Sequence, residues 1–248
     1  MSIFEKILSV SLDDIELQSK RGNSFTADRE ALRQKGQFWT PSWVAESMVG
    51  YVIRGGASAI FDPAVGAGAF FLAAKKMSKE IGKRLALLGT EIDSNVLQQA
   101  NDAGLEEDDL KGVQIRDFVL QPPNGKFLAI VANPPYIRHH RLTAQVKNQL
   151  RHFSKTLIRM NLDGRAGLHI YFLLRALQLL EKNGRLAFIM PADTAEGIFA
   201  PTLWNWITSR YCLDAVVTFS PESSPFPKVD TNAMVFMIKN STPQKKFL

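Results

Sequence analysis

Asn133-Pro134-Pro135-Tyr136 follows directly on the apolar run Phe127-Leu128-Ala129-Ile130-Val131-Ala132. A run of that length bounded by turn residues reads as a buried strand, so these four residues open the loop at its end. The two prolines fix the backbone and remove two N–H donors, which leaves carbonyl oxygens of a stiff loop with few local partners. Asn133 adds a side-chain acceptor and Tyr136 a flat ring. A rigid set of acceptors beside an aromatic face suits a planar ligand that carries an NH₂ group.

A second constellation lies upstream. Ile60 to Phe70 (Ile-Phe-Asp-Pro-Ala-Val-Gly-Ala-Gly-Ala-Phe) is a strand, a small-residue turn and a helix start. Gly66 and Gly68 let the backbone approach a ligand at the carboxyl edge of the first strand, where open α/β sheets bind cofactors. The next strand ends in Glu91, 23 residues beyond Gly68, placed to accept hydrogen bonds from ribose hydroxyls. A dinucleotide such as NAD calls for a third glycine three residues after Gly68, to let helix and strand pack closely, and Phe71 stands there. A nucleoside cofactor without a pyrophosphate fits better, and S-adenosylmethionine is the obvious one.

The charge distribution points to the partner. Of a net charge of +6, the whole excess falls between Arg138 and Arg165, where Arg138, Arg141, Lys147, Arg151, Lys155, Arg159 and Arg165 face one acid, Asp163. Concentrated next to the Asn133 loop, this excess favours a polyanion, nucleic acid above all, with Arg138, Arg141, Lys147 and Arg151 nearest the loop. The segment is long for a connection between helix and strand, and its cations repel, so it is expected to stay loose until DNA binds. The four histidines show no ligand spacing with acids or with Cys212, and no metal site is expected. A lone cysteine allows no internal disulfide, and the acidic and basic residues near the start do not make a secretory signal, so a cytoplasmic protein is expected. No apolar run is long enough to span a bilayer.

With 248 residues, 46% apolar and 22% charged, the chain has the make-up of an ordinary globular protein. Ile3, Phe4, Ile7, Leu8, Leu12 and Ile15 recur at helical spacing and predict one or two helices in residues 1–36. Thr40-Pro41 forms a helix start, cap residue then proline, for a helix to about Arg54. Strands are expected at 58–62, 85–91, 113–117, 127–132, 185–190, 214–219 and 233–239, with helices between them at 67–81, 94–103, 168–182 and 201–209. Such alternation implies a parallel sheet with helices on both faces. The last two strands have no room for a helix between them and should pair antiparallel. Residues 240–248 read as a polar tail or linker.

In order and in residues, the chain resembles the adenine-N6 DNA methyltransferases of restriction–modification systems, in the subgroup whose cofactor motif precedes the catalytic one. The resemblance runs from Gln37 to Lys239 and implies a Rossmann-like, class I S-adenosylmethionine-dependent methyltransferase domain, seven strands, mostly parallel, with one antiparallel edge strand. Gln37-Phe38-Trp39-Thr40-Pro41 is similar to the family's upstream cofactor motif, Asp62 to Phe70 to its glycine-rich loop, and Thr90-Glu91-Ile92-Asp93 to its ribose-binding strand end. The resemblance assigns cofactor contacts to Thr40, Asp62, Ala64, Gly66, Gly68, Phe70, Glu91, Ile92 and Asn133. Arg116-Asp117-Phe118 resembles the site where an aspartate meets the cofactor's adenine, and so adds Asp117 and Phe118. Asn133 to Tyr136 matches the catalytic motif. It implies that Asn133 Oδ1 and the Pro134 carbonyl hold the two hydrogens of an adenine amine, while Tyr136 stacks on the flipped base. Ser224-Pro225-Phe226-Pro227 is similar to the segment that supplies a second aromatic, Phe226, with Phe219 as its competitor.

Release-factor glutamine methyltransferases and some ribosomal-RNA methyltransferases share the Asn-Pro-Pro-Tyr signature; Thr40-Pro41 and the basic segment favour DNA. An NAD-dependent oxidoreductase and a non-catalytic binding subunit are the rivals from other classes. Family members carry a separate target-recognition domain, and only nine residues follow the last expected strand, so recognition is expected to come from a domain or partner subunit outside this chain.

Overall fold

The computed structural model of the protein describes residues 39–226 and 232–244, which fall within one compact unit, Phe38–Leu248. The helices expected in residues 1–36 lie outside the described residues. In chain order come α1 (Ser42–Ile53), β1 (Ala59–Asp62), α2 (Ala69–Ile81), β2 (Ala86–Glu91), α3 (Val96–Asp102), the one-turn α4 (Glu107–Leu110) and β3 (Val113–Ile115). After β4 (Phe127–Ala132) follow α5 (Ala144–Ile158), α6 (Leu168–Leu179), β5 (Leu180–Pro191), the one-turn α7 (Asp193–Glu196), α8 (Ala200–Thr208), β6 (Cys212–Thr218) and β7 (Ala233–Lys239).

The seven strands form one sheet in the order β3-β2-β1-β4-β5-β7-β6. The ladders from β3 to β5 are parallel, and β7 runs antiparallel to both β5 and β6. The antiparallel end of the sheet matches expectation, but the reversed strand, β7, lies one place in from the edge. Its sequence explains why: Ala-Met-Val-Phe-Met-Ile is apolar on both faces and needs cover on both. The edge strand β6 keeps Asp214, Val217 and Thr218 exposed. From β1 the chain winds one way through β2 and β3 and the other way through β4 and β5. The β1/β4 boundary is therefore the point where strand order reverses, and ligands of open α/β sheets bind outside the carboxyl ends of the strands there.

Period-2 alternation divides the core between the faces. Ile130 and Ala132 of β4, with Leu186, Phe188 and Met190 of β5, pack on one side under α5, α6 and α8. Ala129, Val131, Ala187 and Ile189 pack on the other, under α1 and α2.

Several element ends differ from expectation, each for a local reason. α2 starts two residues late because Gly66 and Gly68 adopt left-handed backbone (φ 54° and 79°) and hold the chain in a turn. β3 stops at Ile115 because the Asp117 carboxylate accepts from the Val119 and Leu120 N–H groups and turns the chain. α6 gives way to strand at Leu180, which pairs with Phe127. Asn240 is not a loose tail residue: its Nδ2 donates to the Leu180 carbonyl at 2.9 Å.

The larger correction concerns the basic segment. Instead of a loose connection it contains α5, capped by Thr143, which accepts from the Val146 N–H. Leu150, Ser154 and Ile158 are buried along one stripe, and Leu150 and Ile158 join the α6-side core. Lys147, Arg151 and Lys155 recur every fourth residue and so line up beside one another, flanking the buried stripe, with Arg151 and Lys155 exposed to solvent that screens their repulsion.

Candidate active site

The adjacent strands β1 and β4 deliver the two constellations to one edge of the sheet. At the end of β1, Asp62 is fully buried. Its Oδ1 accepts from the Ala64 N–H at 2.9 Å, while Oδ2 has no hydrogen-bond partner in the structure. Burial, helped by the nearby Glu91 charge, outweighs the Ala64 hydrogen bond and pushes the Asp62 carboxyl up to about 8.

The turn that follows is fastened to the end of β2. Thr90 Oγ1 donates to the Pro63 carbonyl at 2.7 Å, and the Val65 N–H donates to the Thr90 carbonyl at 3.1 Å. Gly89 permits this approach: a Cβ there would lie 2.6 Å from the Asp62 carbonyl oxygen. A Cβ on Gly68 would lie 2.3 Å from Leu105 Cδ1. The loop is thus a small-residue cradle whose backbone a side chain would obstruct.

Glu91 is 7% exposed and organises this region. One oxygen accepts from the Ile92 and Asp93 N–H groups at 2.8 and 3.1 Å. The other accepts from the Gly66 N–H at 2.9 Å, across the cleft between β2 and the loop. Sequence reasoning gave Glu91 to a ribose; the structure adds that its carboxylate sets the position of the glycine loop itself. With two acceptor sites on each carboxylate oxygen, one site is left, on the oxygen that meets Gly66, for a hydroxyl donor. Ile92, 70% exposed, stands beside it, whereas Phe70 and Phe118 are buried in the two cores. Those two rings support the cleft from behind rather than offering an open face. Asp117 and Ala64 are half-buried at the same edge.

At the end of β4, Asn133 Nδ2 donates to Thr40 Oγ1 at 3.1 Å. In this arrangement Oδ1 is the acceptor end of the amide. Thr40 was expected to cap α1, but the α1 cap carries no side-chain hydrogen bond, and the hydroxyl serves Asn133 instead. Pro134 is buried. The Tyr136 hydroxyl donates to the Ile189 carbonyl at 3.0 Å, and burial together with the Asp193 charge pushes this phenol well above its usual range. It remains a neutral donor. Sequence reasoning passed over one neighbour: His169, buried at the start of α6, meets the Tyr136 ring edge-on at 5.9 Å. A histidine inside the apolar run Leu-His-Ile-Tyr-Phe-Leu-Leu was the available signal.

The remaining expectations are placed unevenly. Arg138, Arg141 and Arg151 are exposed and Lys147 half-buried, spread over the loop and the outer face of α5. Phe226 is buried with Ala233 and Val235 in the α1-side core; Phe219 is half-buried and meets Trp43 edge-on at 5.7 Å. Among the described residues no three His, Cys, Asp or Glu side chains are grouped to hold a metal ion, and no helix is long and apolar enough to cross a membrane.

A sheet of this strand order with its ligand edge at β1 and β4 is the class I S-adenosylmethionine-dependent methyltransferase fold. The methyltransferase subunit of the type I restriction–modification system of Streptococcus thermophilus superposes with a TM-score of 0.66 at 19% identity, over 86% of this chain and 48% of that one. The chain belongs to the N-6 DNA Methylase family, whose pattern matches residues 24–246. Among curated relatives, type II methyltransferase M.AccI of Acinetobacter calcoaceticus is 25% identical over 89% of this chain and 40% of its own length. Type II methyltransferase M.XamI of Xanthomonas campestris pv. amaranthicola is 27% identical over 90% of this chain and 44% of its own length. The chain thus spans less than half the length of these two relatives.

Proposed function

We propose that this chain transfers a methyl group from S-adenosylmethionine to the N6 amine of an adenine flipped out of DNA, as the catalytic part of a restriction–modification methyltransferase. The observation that carries the reading is the Asn133 side chain, bonded to Thr40 at the end of β4, beside the glycine loop that follows the neighbouring strand β1. In this reading residues 37–239 are the catalytic domain.

The residues fit the cofactor. Gly66 and Gly68 hold left-handed backbone, with no room for a Cβ on Gly68; Glu91 and Asp117 offer carboxylates to ribose and adenine, and the partnerless Asp62 Oδ2 is a buried polar atom beside the cradle. Thr40, Ala64, Ile92 and Asn133 complete the proposed set, with Phe70 and Phe118 backing it from the core. When bound, S-adenosylmethionine supplies an electrophilic methyl on a sulfonium.

What the chain itself contributes is positioning and fixed dipoles. An adenine amine is a poor nucleophile because its lone pair is delocalised into the ring. Asn133 Oδ1 and the Pro134 carbonyl accept its two hydrogens and draw the nitrogen toward tetrahedral geometry, which localises the lone pair. Neither acceptor reorganises: one is held by Thr40, the other by proline φ. Stacking on Tyr136, with Phe226 as the second aromatic, offsets part of the few kcal/mol needed to unstack the base. Arg138, Arg141, Lys147 and Arg151 contact phosphates. Phosphate contacts fix register and do not read sequence, so a recognition domain or subunit supplies the site.

Asn133→Ala tests the proposal. Methyl transfer to DNA should fall below detection while calorimetric S-adenosylmethionine affinity stays within a few-fold of native. Turnover retained in the variant refutes the catalytic assignment.

A further inference from the structure

Behind the Asn133–Tyr136 loop lies a group that the chemistry above leaves unused. His169 is 4% exposed, and neither ring nitrogen has a hydrogen-bond partner. Asp193 Oδ1 lies 3.6 Å from Nε2, just beyond hydrogen-bond length. A buried imidazole without a full partner is costly, and a leucine or phenylalanine would fill the same space with no polar atom to satisfy.

The surroundings are built to admit it. Gly167 has no room for a side chain: a Cβ there would lie 2.7 and 2.8 Å from His169 Cε1 and Nδ1 and 3.2 Å from the Ile137 carbonyl oxygen. The Leu168 N–H donates to that same Ile137 carbonyl at 2.9 Å, tying the start of α6 to the residue after Tyr136. The Tyr136 ring is therefore gripped from two elements. Its hydroxyl is held by Ile189 of β5 at 3.0 Å, and His169 of α6 crosses it at an interplanar angle of 74°. Asp193, whose carboxyl His169 and Arg138 hold below the usual carboxylate range, stays ionised and favours the tautomer with its proton on Nε2.

We propose that His169, tethered by Asp193, is a positioning residue that locks the Tyr136 ring in the plane on which the target base stacks. The inference rests on the function proposed above, and its test separates the two. The chain has four tyrosines, so uniform 3-fluorotyrosine labelling gives a countable fluorine spectrum in which Tyr136→Phe identifies the Tyr136 line. In His169→Leu that line should shift and broaden and kcat for methyl transfer to DNA should fall roughly tenfold, with S-adenosylmethionine affinity unchanged. His169→Phe, which restores an aromatic edge, should recover most of both. Asp193→Asn changes a side chain that is 63% exposed, so it reports even if His169→Leu does not fold; it should move the same line and lower kcat by a smaller factor. An unmoved Tyr136 line, or native turnover despite a moved one, overturns the inference. A native chain that transfers no methyl to DNA would sink the proposed function instead, and the fluorine line would still decide whether the clamp exists.

Discussion

Asp62→Asn should make the protein more stable at neutral pH and less so in mild acid. Asp62 is fully buried, with one oxygen bonded to the Ala64 N–H and the other without a partner. Its carboxyl is pushed from 3.8 to about 8. A folded-state pKa above the unfolded one means that the native state binds the proton more tightly. The associated stability is fully present below about pH 4 and is lost as pH rises toward 8. Each pH unit in that window is worth about 1.4 kcal/mol, so at pH 7 the burial of Asp62 costs up to about 4 kcal/mol. Asparagine keeps the acceptor for Ala64 but buries an NH₂ where Oδ2 was, at about 1–3 kcal/mol. The variant should gain about 1–3 kcal/mol at pH 7 and lose a similar amount near pH 4.5. Urea denaturation at pH 5, 6, 7 and 8, without cofactor, reads the difference directly. A stability difference that does not change across that series refutes the reasoning, whatever its size.

Thr40→Val keeps the shape but removes the acceptor for Asn133 Nδ2; steady-state assays should show kcat down about two- to tenfold, with Thr40→Ser close to native. Glu91→Ala should weaken calorimetric cofactor binding by roughly 2–4 kcal/mol, because it removes the ribose acceptor and also releases the Gly66 N–H; unchanged affinity would take Glu91 out of the site. The chain alone should bind unrelated duplexes with similar, weak affinity and steep salt dependence. Lys147→Ala and Arg151→Ala should each lower the slope of log affinity against log salt by about one, and tight, salt-resistant binding to one short sequence would place recognition inside this chain.

The sheet was legible because its strands carry a plain signal: β4 and β7 are continuous apolar runs, and glycines, Asp62 and Glu91 mark where β1 and β2 end. The place of β7 was not, because nothing local says which of two adjacent antiparallel strands goes inside; apolarity on both faces does, once the neighbours are known. α5 was missed because its charges were read as mutual repulsion, although Leu150, Ser154 and Ile158 already trace a buried stripe at helical spacing. At the site, Asn133 and the cradle could be read from type and spacing alone. As a helix cap Thr40 was misread: its hydrogen bond to Asn133 spans 93 positions of sequence, and only the folded chain shows that its hydroxyl meets an amide instead of capping α1. Glu91 is a similar case, a ligand group by pattern that also braces the loop in front of it.

The loops that carry the two proposed acceptors and the cradle spring from neighbouring strands in the interior of the sheet, with ladders on both sides of each. The spacing between the starts of those two loops is therefore inherited from the inter-strand distance, about 4.8 Å in any sheet. The surface loops and the outer face of α5 carry no part of that spacing. Insertions, charge changes or a different recognition module can accumulate there without retuning the reaction geometry. In the function proposed, such a division separates the chemical step from the surface that would meet different DNA addresses.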